Sequence, residues 1–460
     1  MQTECSARQY EFEGFDGRQV VADFAGGDMT SNAGALLLGT VDGGLGLIRR
    51  FAACFSDRRN LRYVEHQLET MIGQRVFALA LGYEDVNDHD ELRKDPTFAV
   101  LARKLEPVLR KDCEALAGKS TLNRLELAKQ ASKYHKITVD PRKVEPLFVD
   151  LFVEAHARAP KRIVIDLDAT DIPLHGHQEG RFFHGYYDVH CYLPLYIFCG
   201  KHLLAAKMRR SNIDASAGTV AEIARIVNHI RKRWAKTQII LRADSGFARD
   251  ELMAWCETNR VEFLFGLARN ARLVTEIEAE LAVAATACRE TGKPARRFKD
   301  FMWTTLDSWS RRRRVVGKAE HTLQGSNPRF VVTSLARSEH AARPLYEKLY
   351  CARGEAENRI GEQFELFADR ASAATMAANQ LRLWFSAMAY TLVATLRRVG
   401  LKHTQLANAS VHTIRLKLFK LGAQVRRSVR RIHFAIASGC PNKTEFEMAF
   451  LHLNRAFAKT

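Results

Sequence analysis

Ile163–Thr170, IVIDLDAT, is the stretch that decides the fold: a short β-branched run that ends in an aspartate, the composition of a strand rather than of a helix. It opens a change of regime near Pro160. The runs that follow, LPLYIFCG (193–200), LLAAKMR (203–209), QIILRAD (238–244) and VEFLFGLA (261–268), have the same character. Between the third and fourth of the five runs, Val220, Ile223, Ile226, Val227 and Ile230 recur at the spacing of an amphipathic helix, which predicts a crossover between strands. A mixed α/β sheet flanked by helices is expected here.

Outward from this centre the patterns differ. Before it, NAGALLLGTVDGGLGLIRRFAACF and HQLETMIGQRVFALALG have helical spacing, so residues 1–158 are expected to form a mainly helical N-terminal domain. After it, RFKDFMWTTL, RRRRVVG and RFVVTSL return to strand composition, which suggests a β-rich insertion at about 285–340 within a central domain of 159–400. Residues 401–460 are expected to form a basic helical C-terminal region. From Ala371 to Thr444 there is no Asp or Glu, while Lys and Arg supply twelve positive charges.

The formal charge of +18 on 460 residues favours a polyanionic partner, with nucleic acid first, because basic surface releases counterions when it meets phosphate. The nine cysteines include no C-x-x-C pair, so neither a zinc nor a disulfide framework is expected. The N-terminus lacks a secretory pattern, and the apolar stretch 383–396 is too short to span a bilayer. The expectation is a cytoplasmic, nucleoid-associated protein with no membrane contact.

Asp168 closes one predicted strand and Asp244 another, where open sheets place their sites. A strand-ending Asp also starts turns, so both readings are open at this point. Asp166 shares a strand face with Asp168 and is its main rival, with Asp171 behind it. In LYEKLYCARGEAENRIGEQF, Tyr350, Arg353 and Glu357 fall at i, i+3 and i+7, on one helix face, with Glu355 opposite. A carboxylate, a guanidinium and a phenol on one face suit a place where metal ions meet phosphates. An ordinary helical ion pair is the alternative. Arg311, Arg312, Arg313 and Arg314 are expected to grip DNA or to form a solvated turn. His175, His177, His184 and His190 fit no standard zinc spacing, and Asp88, His89 and Asp90 are read as structural.

Together these residues resemble the bacterial DDE-type insertion-sequence transposases, specifically the cut-and-paste group with the signature Y-x2-R-x3-E-x6-K. The group's D-x-T element corresponds to Asp168-Ala169-Thr170, its second Asp to Asp244 in LRADSGF, and its helix pattern to Tyr350, Arg353 and Glu357. Phe364 stands where the pattern has Lys, which bears on a phosphate or end-base contact and not on the metal site. The gap of 113 residues between Asp244 and Glu357 has room for the β-rich insertion such enzymes carry. The likeness runs from LALGYEDVNDHDELRKDP (79–96) to about residue 400.

The resemblance implies an RNase H-like core with the first Asp on the central strand, the second on a neighbouring strand and the Glu on a later helix. It implies Asp168, Asp244 and Glu357 as catalytic and metal-binding carboxylates, Mg²⁺ as cofactor with Mn²⁺ as a substitute, and Tyr350 and Arg353 in contact with end DNA. The partners it implies are double-stranded DNA, at element ends and target, and a second copy of the chain in a homodimer on DNA. An RNase H-like nuclease without strand transfer and a non-catalytic DNA-binding protein derived from a transposase are the competing readings.

Overall fold

The computed structural model describes residues 9–109, 113–127 and 133–458. They divide into two compact units: Asp140 to Ala387, and the residues up to Val139 joined with those from Met388 onward.

The first of these is built on eight principal strands: β1 (Arg162–Ala169), β2 (Leu195–Cys199), β3 (His202–Lys207), β4 (Gln238–Ala243), β5 (Glu262–Leu267), β6 (Ala295–Trp303), β7 (Arg313–Thr322) and β8 (Arg329–Thr333). Their order across the sheet is β3-β2-β1-β4-β5-β8-β7-β6, and the short strand Gly325–Ser326 pairs with β7 as a ninth. β4 runs parallel to both β1 and β5, whereas β2 and β3 are antiparallel. This 3-2-1-4-5 arrangement, with β1 central, is the RNase H-like core that the resemblance implies.

Alternation along β1 explains its place. Ile163, Ile165 and Leu167 enter one apolar core, so Asp166 and Asp168 face the other side of the sheet. That core is closed by α1 (Pro141–Glu154), α2 (Thr219–Arg233) and α3 (Asp250–Thr258). They contribute Phe152, Ile226, Ile230 and Met253 among others. Each such side chain taken from water is worth about 1.5–3 kcal/mol. The opposite face is covered by a smaller cluster in which Ile240, Leu264 and Val331 meet Leu345 and Tyr346.

The strand-rich stretch at 285–340 supplies β6, β7 and β8, and β8 pairs with β5 (Leu264 opposite Thr333), so that these strands extend the same sheet. The reason lies in β8 itself: Val331 enters one core and Val332 the other, so the strand needs cover on both faces. The catalytic unit also begins earlier than residue 159, since Val149 and Phe152 of α1 belong to the sheet's core.

The other unit contains the helices Leu36–Leu45, Leu68–Leu81 and Lys443–Phe457. Its N- and C-terminal segments form one body where two were expected. Met29–Thr30 pairs with Ala423–Gln424, and Arg415 donates Nε to the Ala80 carbonyl (3.1 Å) near the C-terminal end of Leu68–Leu81. That end has carbonyls without intrahelical donors, which an arginine from a distant segment satisfies. The apolar stretch at 383–396 lies in the buried helix Met376–Thr395 and its continuation, and among the described residues no helix is long and apolar enough to cross a membrane.

Candidate active site

Asp168 and Asp244 follow from the register of two parallel strands. Arg242 lies opposite Asp166, so the residues two positions further on, Asp168 and Asp244, stand at the C-terminal tips of β1 and β4. Asp244 also starts a turn, accepting the Gly246 N–H at 2.9 Å through Oδ1. The turn-starting reading of a strand-ending Asp therefore holds at this residue. Asp166 is already occupied, since Arg242 donates to its two oxygens at 2.5 and 2.8 Å.

The segment carrying Tyr350, Arg353 and Glu357 is helical but not uniformly wound. Leu345–Tyr350 forms wide π-type turns, Cys351–Arg353 a tight 3-10 turn, and α4 (Gly354–Phe364) a regular helix. The irregularity coincides with an inserted side chain: Arg242 donates Nη1 to the Leu349 carbonyl at 2.5 Å. Arg353 still links the expected face, donating Nη2 to Glu357 Oε1 at 2.6 Å with Nη1 3.5 Å from Asp168 Oδ2. Phe364, at the position of the pattern's Lys, ends α4 half-buried.

The electrostatics tie these groups together. Burial pushes the Asp168 carboxyl up to about 7; Arg353 opposes the rise, and the negative charges of Asp244 and Glu357 add to it. Glu355 behaves differently, adding its field to Asp166, which burial holds above the usual carboxylate range. Tyr187 is pushed up to about 12 by burial, with Asp171, Asp168 and Asp244 contributing. Burial also raises the Tyr350 phenol, and Asp244 adds to that rise.

Next to Asp244 a cavity of about 300 Å³ is lined by Gly266, Arg269, Arg329, Phe330 and Tyr350. Sequence reasoning missed Gly266, Arg269, Arg329 and the Arg242 anchor. A signal for Arg242 was present, since Asp166/Asp168 and Arg242/Asp244 repeat the same two-residue step on adjacent strands.

The run of four arginines needs a correction. Arg313 is buried and pairs with Glu257 and Asp250, and Arg314 is buried against Asp300 while also donating to the Leu335 carbonyl. Neither side chain is available to DNA. Arg311 and Arg312 remain exposed, although Arg311 lies 3.1 Å from Glu257. The histidine-rich stretch forms two short antiparallel strands, Phe182–His184 and Val189–Tyr192, with His184 packed on Tyr187 and His190 on Phe183.

Comparison with known protein families settles the class. The family model for the transposase DDE domain, group 1, matches residues 12–458. The chain belongs to that family. Its function is accordingly DNA transposition. No curated protein matches the sequence. Among solved structures, a piggyBac transposase in a synaptic complex with hairpin DNA is similar at a TM-score of 0.42 and 10% identity, over 85% of this chain and 80% of that one.

For a DDE transposase the question is whether these carboxylates fit a metal ion. Among the described residues no three His, Cys, Asp or Glu side chains lie close enough to form a ready cage. The Arg353 guanidinium instead supplies the local positive charge between Asp168 and Glu357. The donor set is nevertheless of the right kind, because carboxylate oxygens suit hard divalent cations and Mg²⁺ needs few protein ligands.

Proposed function

We propose that Asp168, Asp244 and Glu357 are the carboxylates with which this transposase cuts DNA at the ends of its own element and joins those ends to target DNA, with Mg²⁺ as cofactor and Mn²⁺ as a substitute. The observation that carries the reading is the Asp168 carboxyl, buried beside two further acids and raised to about 7. Burial and the two like charges, which Arg353 only partly offsets, favour a cation beside this carboxyl. Asp168 and Asp244 would hold the ion, and Glu357 would complete the set once its exposed side chain leaves Arg353. Bound there, such ions supply Lewis acidity at a phosphodiester and at the hydroxyl that attacks it.

The remaining groups have work of their own. Arg353, released from Glu357, neutralises a backbone phosphate as a two-pronged donor. Tyr350 bears on Asp244 and walls the neighbouring cavity, which orients the strand beside the cut. Arg311 and Arg312 offer exposed charge for DNA. Acting on two ends of one element calls for two copies of the chain, and we propose a homodimer on DNA, in the cytoplasm at the nucleoid.

The test is cleavage and joining of DNA bearing the element's own ends, with Mg²⁺ or with EDTA, for wild type and for Asp168→Ala, Asp244→Ala and Glu357→Ala. Metal-dependent cutting and joining by wild type, lost in each variant with DNA binding kept, supports the assignment. Variants that still cut overturn it. Cutting without joining of a supplied pre-cut end favours the nuclease reading, and binding without any cutting favours the non-catalytic one.

A further inference from the structure

The cations of the acid-free segment 371–444 separate into two groups. Some belong to the fold: Arg397 donates to the Ala409 carbonyl at 2.9 Å, Arg415 to that of Ala80, and Lys420 sits 3.9 Å from the Tyr83 ring centre. Others stand at the end of a β-hairpin, Ala423–Arg427 paired with Ile432–Ile436, whose turn reads RRSVRR. Arg426, Arg427, Arg430 and Arg431 are all exposed.

The hairpin is anchored at its base and bare at its tip. Ala423, Phe434 and Ile436 pack with Ala33 and Leu421 in a small apolar cluster, and Ala423 and Gln424 pair with Thr30 and Met29. The turn is fixed as well: the Ser428 N–H donates to the Arg431 carbonyl at 2.8 Å, and the Arg431 N–H donates back to Ser428 Oγ at 3.1 Å. At the tip Val429 is wholly exposed. The Arg430 and Arg431 side chains have no ion-pair partner among the described residues, and Arg427 comes only to 4.0 Å from Asp28. Arg426 donates to Gln424 Oε1 at 3.1 Å, so the unpaired cations are those beside Val429 at the tip.

We propose that this hairpin tip is a duplex-DNA probe that enters the minor groove, with Arg430 and Arg431 inside the groove, Val429 against a base step, and Arg426 and Arg427 on the flanking phosphates. The proposal rests on the transposase reading above and names a surface with which that protein would hold its DNA. Two strands about 4.8 Å apart, with side chains outside them, fit a major groove but are too broad for a minor groove of about 6 Å, so only the arginines of the tight turn can reach into the minor one. The narrow groove of A·T-rich DNA concentrates negative potential that draws in arginine, and an exposed apolar residue beside it acts as a wedge at a base step.

The experiment measures binding of the full chain to a duplex taken from the terminal repeat beside its own gene, across a salt series, for wild type and Arg430→Ala/Arg431→Ala. Loss of two cations that displace condensed counterions from the groove should flatten the slope of log K against log salt by about 1.8. The Arg430→Lys/Arg431→Lys variant should restore most of that slope. Replacing A·T by I·C pairs, which preserves the minor-groove pattern while changing the major groove, should leave wild-type affinity within about twofold, and G·C pairs should lower it more than fivefold, through the added minor-groove amino group. An unchanged slope in the Ala variant, or loss of binding on I·C replacement, overturns the proposal. Metal-dependent cutting of the same duplex scores the carboxylate assignment separately, so either can fail alone.

Discussion

Arg242 holds Asp166 by two hydrogen bonds, from Nε at 2.5 Å and from Nη2 at 2.8 Å, with both side chains buried. One step further along the same strand face, Asp168 has the 3.5 Å approach of Arg353 and, on Oδ1, the N–H of the adjoining Ala169 at 2.9 Å. Two aspartates that strand alternation leaves equivalent thus have different surroundings. Removing Asp166 strands a buried guanidinium, so Asp166→Ala should cost about 3–5 kcal/mol of stability. Asp168→Asn should leave stability equal or higher and abolish cutting. Urea unfolding run beside a nicking assay checks both, and a stable Asp166→Ala protein that cannot nick would reverse the two roles.

The position of Asp168 also sets a pH dependence. Its carboxyl rises from an ordinary 3.8 to about 7 on folding, so between those values the folded protein binds the proton that the unfolded chain releases. Stability from this group therefore falls as pH rises from about 4 to about 7, and the penalty is complete above that. In metal-free buffer the melting temperature of wild type relative to Asp168→Asn should drop across this window. A difference that stays flat from pH 4 to pH 8 would refute the account.

The sequence made the centre of the fold legible because its patterns there are local. Alternation in IVIDLDA, the 3.6-residue spacing of Val220 to Ile230, and the shared helix face of Tyr350, Arg353 and Glu357 each lie within a few turns of chain. Pairing is not local. Val331 and Val332 are apolar in the sequence wherever their strand docks, and only the β5 edge shows that one sheet continues through them. Alternation could not separate Asp166 from Asp168 for the same reason, since the residue that distinguishes their surroundings, Arg242, comes from a neighbouring strand. Arg313 and Arg314 look like solvated charge until Glu257, Asp250 and Asp300 arrive from elsewhere.

Arg313 shows what that difference costs. Its Nε lies 2.8 Å from Glu257 Oε1 and its Nη1 2.6 Å from Asp250 Oδ1, with the guanidinium buried. Arg313→Ala removes the buried guanidinium from two part-exposed acids, of which Glu257 keeps Arg311 and Asp250 keeps Ser310, and should lower unfolding free energy by about 1–3 kcal/mol. Arg311→Ala/Arg312→Ala should leave stability within about 0.5 kcal/mol, as surface changes usually do. Should Arg313→Ala unfold at the wild-type urea midpoint, the structural role given to this ion pair is wrong.

Gly266, inside β5, keeps Tyr350 beside Asp244. A Cβ at this position would lie 2.5 Å from Tyr350 Oη and 2.9 Å from the Ser245 backbone nitrogen. The phenol must then move, and a displacement of about 1 Å near a reacting group can lower the rate about 100-fold. Gly266→Ala should therefore cut DNA poorly while binding it normally. Because the nearest clash is with one oxygen, Tyr350→Phe should relieve part of it, so that Gly266→Ala costs at least about 0.5 kcal/mol less stability in the Tyr350→Phe background. Unfolding midpoints of the two single variants and the double variant give that coupling directly. Strict additivity would mean that the Ser245 backbone, rather than Tyr350, takes up the strain.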